Sequence, residues 1–464
     1  MTSVPSKTAT ISIPRLQGEV KGRVIGPEDT DYDDARTVFP GGIDRRPAAI
    51  VRVAGATDIS HIVTLARQSG FELAVRSGGH STAGHGVTDG GVVIDLADMR
   101  GLDIDVDGRT AWAETGLTAV EYSSAAAEHG LATGFGDTGS VGIGGITLGG
   151  GIGYLVRKYG LTIDDLLAVD IVTADGNLLR ADAESHPDLF WALRGGGGNF
   201  GVATRFQLRL HQVDSIVGGM LMLPATPQVI QSFIAEAEAA PDELSTIANV
   251  MPAPPMPFVP AEQHGQLSIL ALMCFVGPPE AGERAMAPFR ALATPIADML
   301  RPMPYPEIYP PDEEGYHPRS AVRTMFVDSV DTATAETIVD HVQASSAMMA
   351  VAQLRVLGGA MAQVSPDATA FAHRDRRIMA TVAALYEQPG EAPQHEEWAS
   401  RFAATLWDSE PAAYVNFLGD EGEERVRQAY PGSTWDRLCS VKAQYDPTNL
   451  FRLNQNIPPA GAGS

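Results

Sequence analysis

The chain has 464 residues, a formal charge of −24, and 44% hydrophobic against 7% aromatic residues. This acidity, with no Lys/Arg run, excludes nucleic acid and anionic membranes as partners and reads as a solubility device. Cys274 and Cys439 are the only cysteines and form no CxxC, which excludes a disulfide framework and a thiolate zinc site; with no apolar N-terminal leader and no run of roughly 18 apolar residues, the expectation is a soluble cytoplasmic protein of two or three domains.

In chain order, residues 49–53 form a β-branched run, and residues 59–69 an amphipathic helix with Ile62, Val63, Leu65 and Ala66 on one face. Gly70 ends that helix, and residues 73–76 and 91–96 read as strands. Residues 102–106 and 111–114 flank Asp107-Gly108, a hairpin signal, and residues 117–129 form a helix closed by Gly130. Residues 167–173 and 178–181 flank a second such signal, Asp175-Gly176. A short helix over 186–193 and a half-buried strand over 202–210 follow.

From about residue 213 the texture changes. Prolines crowd 252–260 and 302–311, so loops are expected there. Residues 266–275 and 378–385 read as strands and 330–345 as a helix. Residues 435–456 read as a helix followed by Asp446-Pro447 and a short strand or loop. The break near 213 marks a second α+β domain over roughly 213–413.

The chain has 48 glycines, and their excess falls mostly between Gly134 and Gly201. Three segments stand out: Arg76-Ser77-Gly78-Gly79-His80; a long run from Gly136 to Tyr154; and Arg194 to Gly201. Paired glycines let backbone N–H groups converge on an anion, and Arg76 adds charge beside the first pair. So many glycines cost chain entropy, which makes sense where backbone must touch a large flat ligand or its pyrophosphate. A Rossmann fingerprint fails because Thr147 stands where its last glycine would, and no P-loop motif exists. Tight turns alone remain the structural alternative.

Taken together, these segments resemble the FAD-linked oxidases of the vanillyl-alcohol-oxidase superfamily, in its berberine-bridge-enzyme-like group. The matching stretches include Arg76–His80, Asp95-Leu96, Gly142–Gly153, Arg157–Leu161, Asp188–Gly195, Gly198–Val202, and Tyr445-Asp446-Pro447 through Asn454-Gln455-Asn456-Ile457. They run in order through most of the chain. The resemblance implies an α+β fold: an FAD-binding domain of two α+β subdomains over 1–212, a substrate domain with an antiparallel sheet over 213–413, and a segment 414–464 returning to the FAD domain.

The resemblance also implies FAD bonded covalently to His80, whose neutral imidazole is a competent nucleophile. Many relatives carry a second link from a cysteine; here Thr138 holds that position, so a single link is expected. The residues expected around FAD are Arg76, Ser77, Gly78, Gly79, His80, Ser81, Gly84, His85, Asp137, Thr138, Ser140, Val141, Gly142, Gly144, Gly145, Gly150, Gly151, Gly153, Tyr154, Gly201, Val202, Asn454 and Asn456. His80 and His85 could suggest a metal pair, but no carboxylate cluster accompanies them and no metal is expected.

The implied chemistry is hydride transfer from a C–H beside an amine or hydroxyl of a small molecule to the flavin, with O₂ giving H₂O₂. A dehydrogenase with another acceptor and a decayed flavin-binding protein are the alternatives. For proton handling the resemblance points to a strand Tyr414-Val415-Asn416-Phe417, in which Phe417 replaces a tyrosine of the family pattern. Tyr414 and Asn416 are the catalytic candidates, with a core role for Tyr414 equally open. Val141 is the candidate gate for O₂. Substrate identity and oligomeric state are not legible.

Overall fold

The computed structural model describes residues 11–311, 315–407 and 411–461. Three sheets organise them. The first has four strands in the order Arg23–Ile25, Ala49–Arg52, Val92–Asp95, Leu73–Arg76. Its last three strands run parallel, so they need covering on both faces, and Val92–Asp95 is buried throughout. The helix Ala56–Ser69 supplies part of that cover through Ile59, Ile62, Val63 and Ala66. Gly70 closes it at φ 73°, a left-handed cap that favours glycine.

The second sheet is antiparallel, in the order Leu102–Asp105, Thr110–Glu114, Val202–Arg209, Leu166–Val172, Leu178–Asp182. Both Asp-Gly hairpins fall where the sequence places them. The helix Ala119–Ala127 starts at a capping box in which the Thr118 side chain accepts from Glu121 N–H and Glu121 accepts from Thr118 N–H.

The third sheet has eight strands, and seven of them form one antiparallel path. It runs from Ala297–Asp298 through Ile216–Pro224, Leu267–Val276, Leu244–Pro252, Met349–Val356 and Ile378–Tyr386 to Arg319–Val327. Helices Pro227–Ala239, Thr332–Gln343 and Ala392–Leu406 cover one face. Period two decides what the other face shows. Ala350, Ala352, Leu354 and Val356 go to the helix side, as do Ala380, Val382 and Ala384. Gln353, Arg355, Thr381 and Ala383 are left on the opposite face.

Cationic side chains join the layers. Arg157 donates to the Ala237 and Ala240 carbonyls at 2.5 and 2.8 Å, and Lys158 to the Val276 carbonyl at 2.8 Å. Arg374, 1% exposed, forks onto Asp164 at 2.7 and 2.8 Å. The helix Ser433–Tyr445 carries Lys442, which is wholly buried. Its ammonium donates to Asp446 at 2.7 Å and to the Asn199 and Phe451 carbonyls at 2.7 and 3.0 Å. Asp446 in turn accepts the Leu450 and Phe451 N–H groups at 2.8 and 2.9 Å. Every proton of this ammonium has an acceptor, which is what makes burial of the pair tolerable.

One expectation is corrected. Tyr414–Phe417 is not a strand: Val415–Phe417 is a 3₁₀ turn. Asn416 bonds the Ile146 carbonyl at 3.0 Å and Tyr414 Oη at 2.9 Å, which curls the segment around its own side chains.

Lys442→Met leaves Asp446 charged and buried with no cation. The expected loss is about 3–5 kcal/mol of folding stability, read from denaturant unfolding of the variant against wild type.

Candidate flavin site

A cavity of ≈ 520 Å³ lies where the three sheets meet. The first sheet contributes the loop after Leu73–Arg76. Arg76 sits on the wall, but its guanidinium is turned away: it bonds Asp95 at 2.8 Å and the Ala35 and Thr37 carbonyls at 2.5 and 3.3 Å. Arg76 therefore braces the loop. Ser77 Oγ donates to the Thr115 carbonyl at 2.6 Å and accepts from Gly144 N–H at 3.3 Å, which ties the loop to the second sheet and the glycine run.

Gly78 and Gly142 are forced by contact. A Cβ on either would stand 2.2 Å from the other's nitrogen, and one on Gly142 also 2.2 Å from Ser77 Oγ. Gly145 differs. It is exposed, lies within the helix Ile143–Gly149, lines the cavity, and a Cβ there would meet no described atom within 4 Å. Gly198 lines the cavity under the same condition. Packing explains the first pair and not the second; a ligand lying against the backbone explains the second.

His80 is half-buried on the wall, its ring stacked on Phe39 with centroids 4.3 Å apart and planes 17° off parallel. Phe39 N–H donates to the Gly79 carbonyl at 3.1 Å, so backbone and ring hold the same loop. His85 also lines the cavity, and burial pushes its imidazole down to about 4, so it is neutral at pH 7. Among the described residues no group of three His, Cys, Asp or Glu could hold a metal.

The other expected residues divide. Ser77, Gly79, Ser81, Asp137, Thr138, Val141, Gly144, Gly201, Val202, Asn416 and Asn454 line the cavity; Gly84, Ser140, Gly150, Gly151, Gly153, Tyr154 and Asn456 do not. Gly151 and Gly153 are packing glycines, their Cβ positions 1.9 Å from Thr162 Oγ1 and 2.3 Å from the Phe135 carbonyl. Tyr154 is buried beside Tyr309, and burial first, then the Asp137 charge, raise its hydroxyl well above the usual range.

Tyr414 is also absent from the wall. It is 1% exposed, and its oxygen accepts from Gly151 N–H at 2.9 Å and Ile152 N–H at 3.3 Å. Burial raises its pKa, while Asn416 and those amides oppose the rise. It braces the glycine run from behind.

The sequence reading missed the far wall: Val322, Gln353, Arg355, Thr381 and Ala383, with Phe417 beside them. Arg355 pairs with Asp137 and lies 5.2 Å over the Phe417 ring. Period two along residues 349–356 was the available signal for Gln353 and Arg355. Asn199, in the third glycine segment but not among the residues expected around FAD, donates through its amide to the Gln455 carbonyl at 3.1 Å and accepts from Ile457 N–H at 2.9 Å, fixing the returning C-terminal segment beside the cavity.

Comparison with known proteins places this geometry. Residues 47–182 match the family model of an FAD binding domain, and residues 413–458 the model described as berberine and berberine like. (R)-6-hydroxynicotine oxidase of Paenarthrobacter nicotinovorans is 30% identical over 458 residues, covering 96% of this chain and 98% of that protein. The FAD-linked oxidoreductase YgaK of Bacillus subtilis is 30% identical over 455 residues, covering 95% and 98%. The crystal structure of 6-hydroxy-D-nicotine oxidase from Arthrobacter nicotinovorans superposes with a TM-score of 0.84 at 28% identity, covering 94% of this chain and 98% of that one. The cavity fits FAD on its own features: open space over Gly145 and Gly198, and the buried Asn454 Oδ1, which has no partner among the described residues.

Paired substitutions separate the two kinds of glycine. Gly142→Ala is expected to cost about 3 kcal/mol or more through overpacking and to abolish folding and flavin absorbance together. Gly145→Ala keeps a wild-type far-UV circular dichroism spectrum and elution volume, while bound flavin per chain drops several-fold.

Proposed function

This chain belongs to the berberine-bridge-enzyme-like family of FAD-linked oxidoreductases, and from that premise we propose that it is an oxidase of small organic molecules holding FAD on one bond to His80. The observation that carries the covalent reading is the placement of His80 on the cavity wall, its ring plane held by Phe39 at 4.3 Å. Thr138 lines the cavity where a second link would come from a cysteine, while Cys274 and Cys439 are buried and absent from its lining. We read residues 1–212 as the FAD-binding domain, 213–413 as the substrate domain, and 414–464 as the segment that returns to complete the flavin wall.

FAD, when bound, supplies the hydride acceptor and hands the electrons to O₂. The chain's own residues do the rest. The glycine run, held by Ser77 at Gly144 N–H and by Tyr414 at Gly151 N–H, would keep its backbone against the cofactor without rearrangement. Val322, Ala383 and Phe417 give the substrate side an apolar surface that excludes water. No tyrosine hydroxyl lines the cavity among the described residues. An amine can give up hydride as its neutral form without a base, so this wall favours a C–H beside nitrogen over one beside a hydroxyl.

Oxygen access is the second half of the reading. Val141 is half-buried on the wall, and its carbonyl accepts from Ala119 N–H at 2.9 Å, so its backbone cannot drift from the cavity. A valine leaves an apolar void that one further methylene fills.

Acid precipitation is expected to leave flavin on the wild-type chain and release it from His80→Ala, which still binds FAD through the glycine loops. Release from the wild type would overturn the covalent reading. Peptide mapping should find flavin on His80 alone.

Val141→Leu is expected to slow reoxidation of the reduced enzyme about tenfold or more while leaving reduction by substrate nearly unchanged, as stopped-flow absorbance reads. A wild type inert to O₂ would make the enzyme a dehydrogenase, and a flavin that no substrate bleaches would make it a binding protein.

A further inference from the structure

The far wall carries a charge that the flavin reading does not use. Arg355 is 4% exposed and held on several sides. Its Nε donates to Gln353 Oε1 at 2.9 Å, and Nη2 binds the Asp137 carboxylate. Gln353 is itself fixed, donating to Asn249 Oδ1 at 2.8 Å, and Asn249 donates to the Leu270 carbonyl at 3.0 Å. A row of immobilised amides across the third sheet thus sets the plane of the guanidinium against Phe417.

Its remaining amine does not fit this order. Arg355 Nη1 is buried and has no acceptor among the described residues. A guanidinium cannot shed its proton at any ordinary pH, so the unmet donor cannot be relieved by titration. An unmet charged donor in an apolar setting costs more than a lost hydrogen bond between neutral groups. Phe417, over whose ring the guanidinium lies at 5.2 Å, offers no oxygen acceptor. Arg355 lines the cavity, so an acceptor there meets Nη1 once the guanidinium turns off the Phe417 ring toward that space. Arg76, the other lining arginine, is already bonded to Asp95, Ala35 and Thr37.

Resting on the oxidase reading above, we propose that Arg355 is the specificity-determining residue of this cavity and anchors a carboxylate carried by the substrate. Once Asp137 yields Nη2, the planar guanidinium presents two parallel donors on Nη1 and Nη2, which match a carboxylate better than a lone carbonyl. Asp137 then has a defined part. It is the carboxylate that neutralises Arg355 while no substrate is present, and it competes with the incoming one. The two residues of one ion pair therefore act in opposite directions on substrate binding. A pair that only braced the loop would make both substitutions act alike.

The test is a titration of the FAD-loaded enzyme with benzoate and with benzamide, followed by the flavin difference spectrum and needing no turnover. Benzoate should saturate, with benzamide about tenfold weaker or more. Arg355→Met should weaken benzoate by about tenfold or more and leave benzamide unchanged; Arg355→Lys, which keeps the charge, should fall between. Asp137→Asn should tighten benzoate several-fold. No saturable benzoate signal, equal binding of the two probes, or parallel weakening in Asp137→Asn and Arg355→Met would overturn the proposal. So would Arg355→Met that changes the flavin spectrum without changing benzoate affinity, because the unmet donor would then belong to the cofactor. A failure of the oxidase reading shows elsewhere, as absent H₂O₂, and leaves these binding curves readable.

Discussion

The fold around the cavity depends on one close approach: the backbone of Gly78 against that of Gly142, where a Cβ on either residue would stand 2.2 Å from the other's nitrogen. The two glycines belong to different units. Gly78 follows the edge strand of the first sheet, and Gly142 opens the helix Ile143–Gly149 beside the second. Only where both side chains are absent can the loops touch, and only because they touch can Ser77 reach both Thr115 and Gly144. The cavity is the space left on the open side of that seam. A single methyl there would move His80 and the glycine run apart together.

The other units are brought to this seam by buried charge rather than by apolar surface alone. Lys442, Asp446 and Asn199 form one satisfied cluster that folds the C-terminal segment onto the third glycine loop. Arg157 and Lys158, just past the glycine run, grip carbonyls of the third-sheet unit, and Arg374 of that unit grips Asp164 in return. Apolar faces would let these layers slide, whereas directed hydrogen bonds to particular carbonyls fix one position. That precision matters for a cavity whose walls come from three sheets, since hydride transfer is lost by displacements of about an ångström.

Legibility in the sequence followed locality. The helix Ala56–Ser69, both Asp-Gly hairpins and the strand Leu73–Arg76 are set by periodicity and turn residues within a few positions, and they appear where read. His80, Val141 and Gly145 were found through the family resemblance, and they line the cavity. The segment Tyr414–Phe417 was misread as a strand because its side chains bond backwards: Asn416 reaches Tyr414 and Ile146, making a turn of it. The strands Ile216–Pro224, Leu244–Pro252, Arg319–Val327 and Met349–Val356 were not read. Leu244–Pro252 is buried over nearly its whole length, so it shows no alternation to read.

The same locality separates cofactor from substrate. Glycines that meet a cofactor's backbone-facing edge must sit in contiguous loops, so that part of the site is written as motifs. The far wall is written as every second residue of strands far apart in the chain: Val322 opposite Ala383, and Gln353 opposite Thr381. No short pattern encodes such a set, because each member's neighbours belong to the helix-side core and answer to packing. Arg355 shows the consequence. Its partner Asp137 lies 218 positions away, and the pair joins the glycine run to the third sheet. Cofactor choice is thereby held in the loops. Substrate choice can change by substitution at alternate strand positions without touching the core behind them.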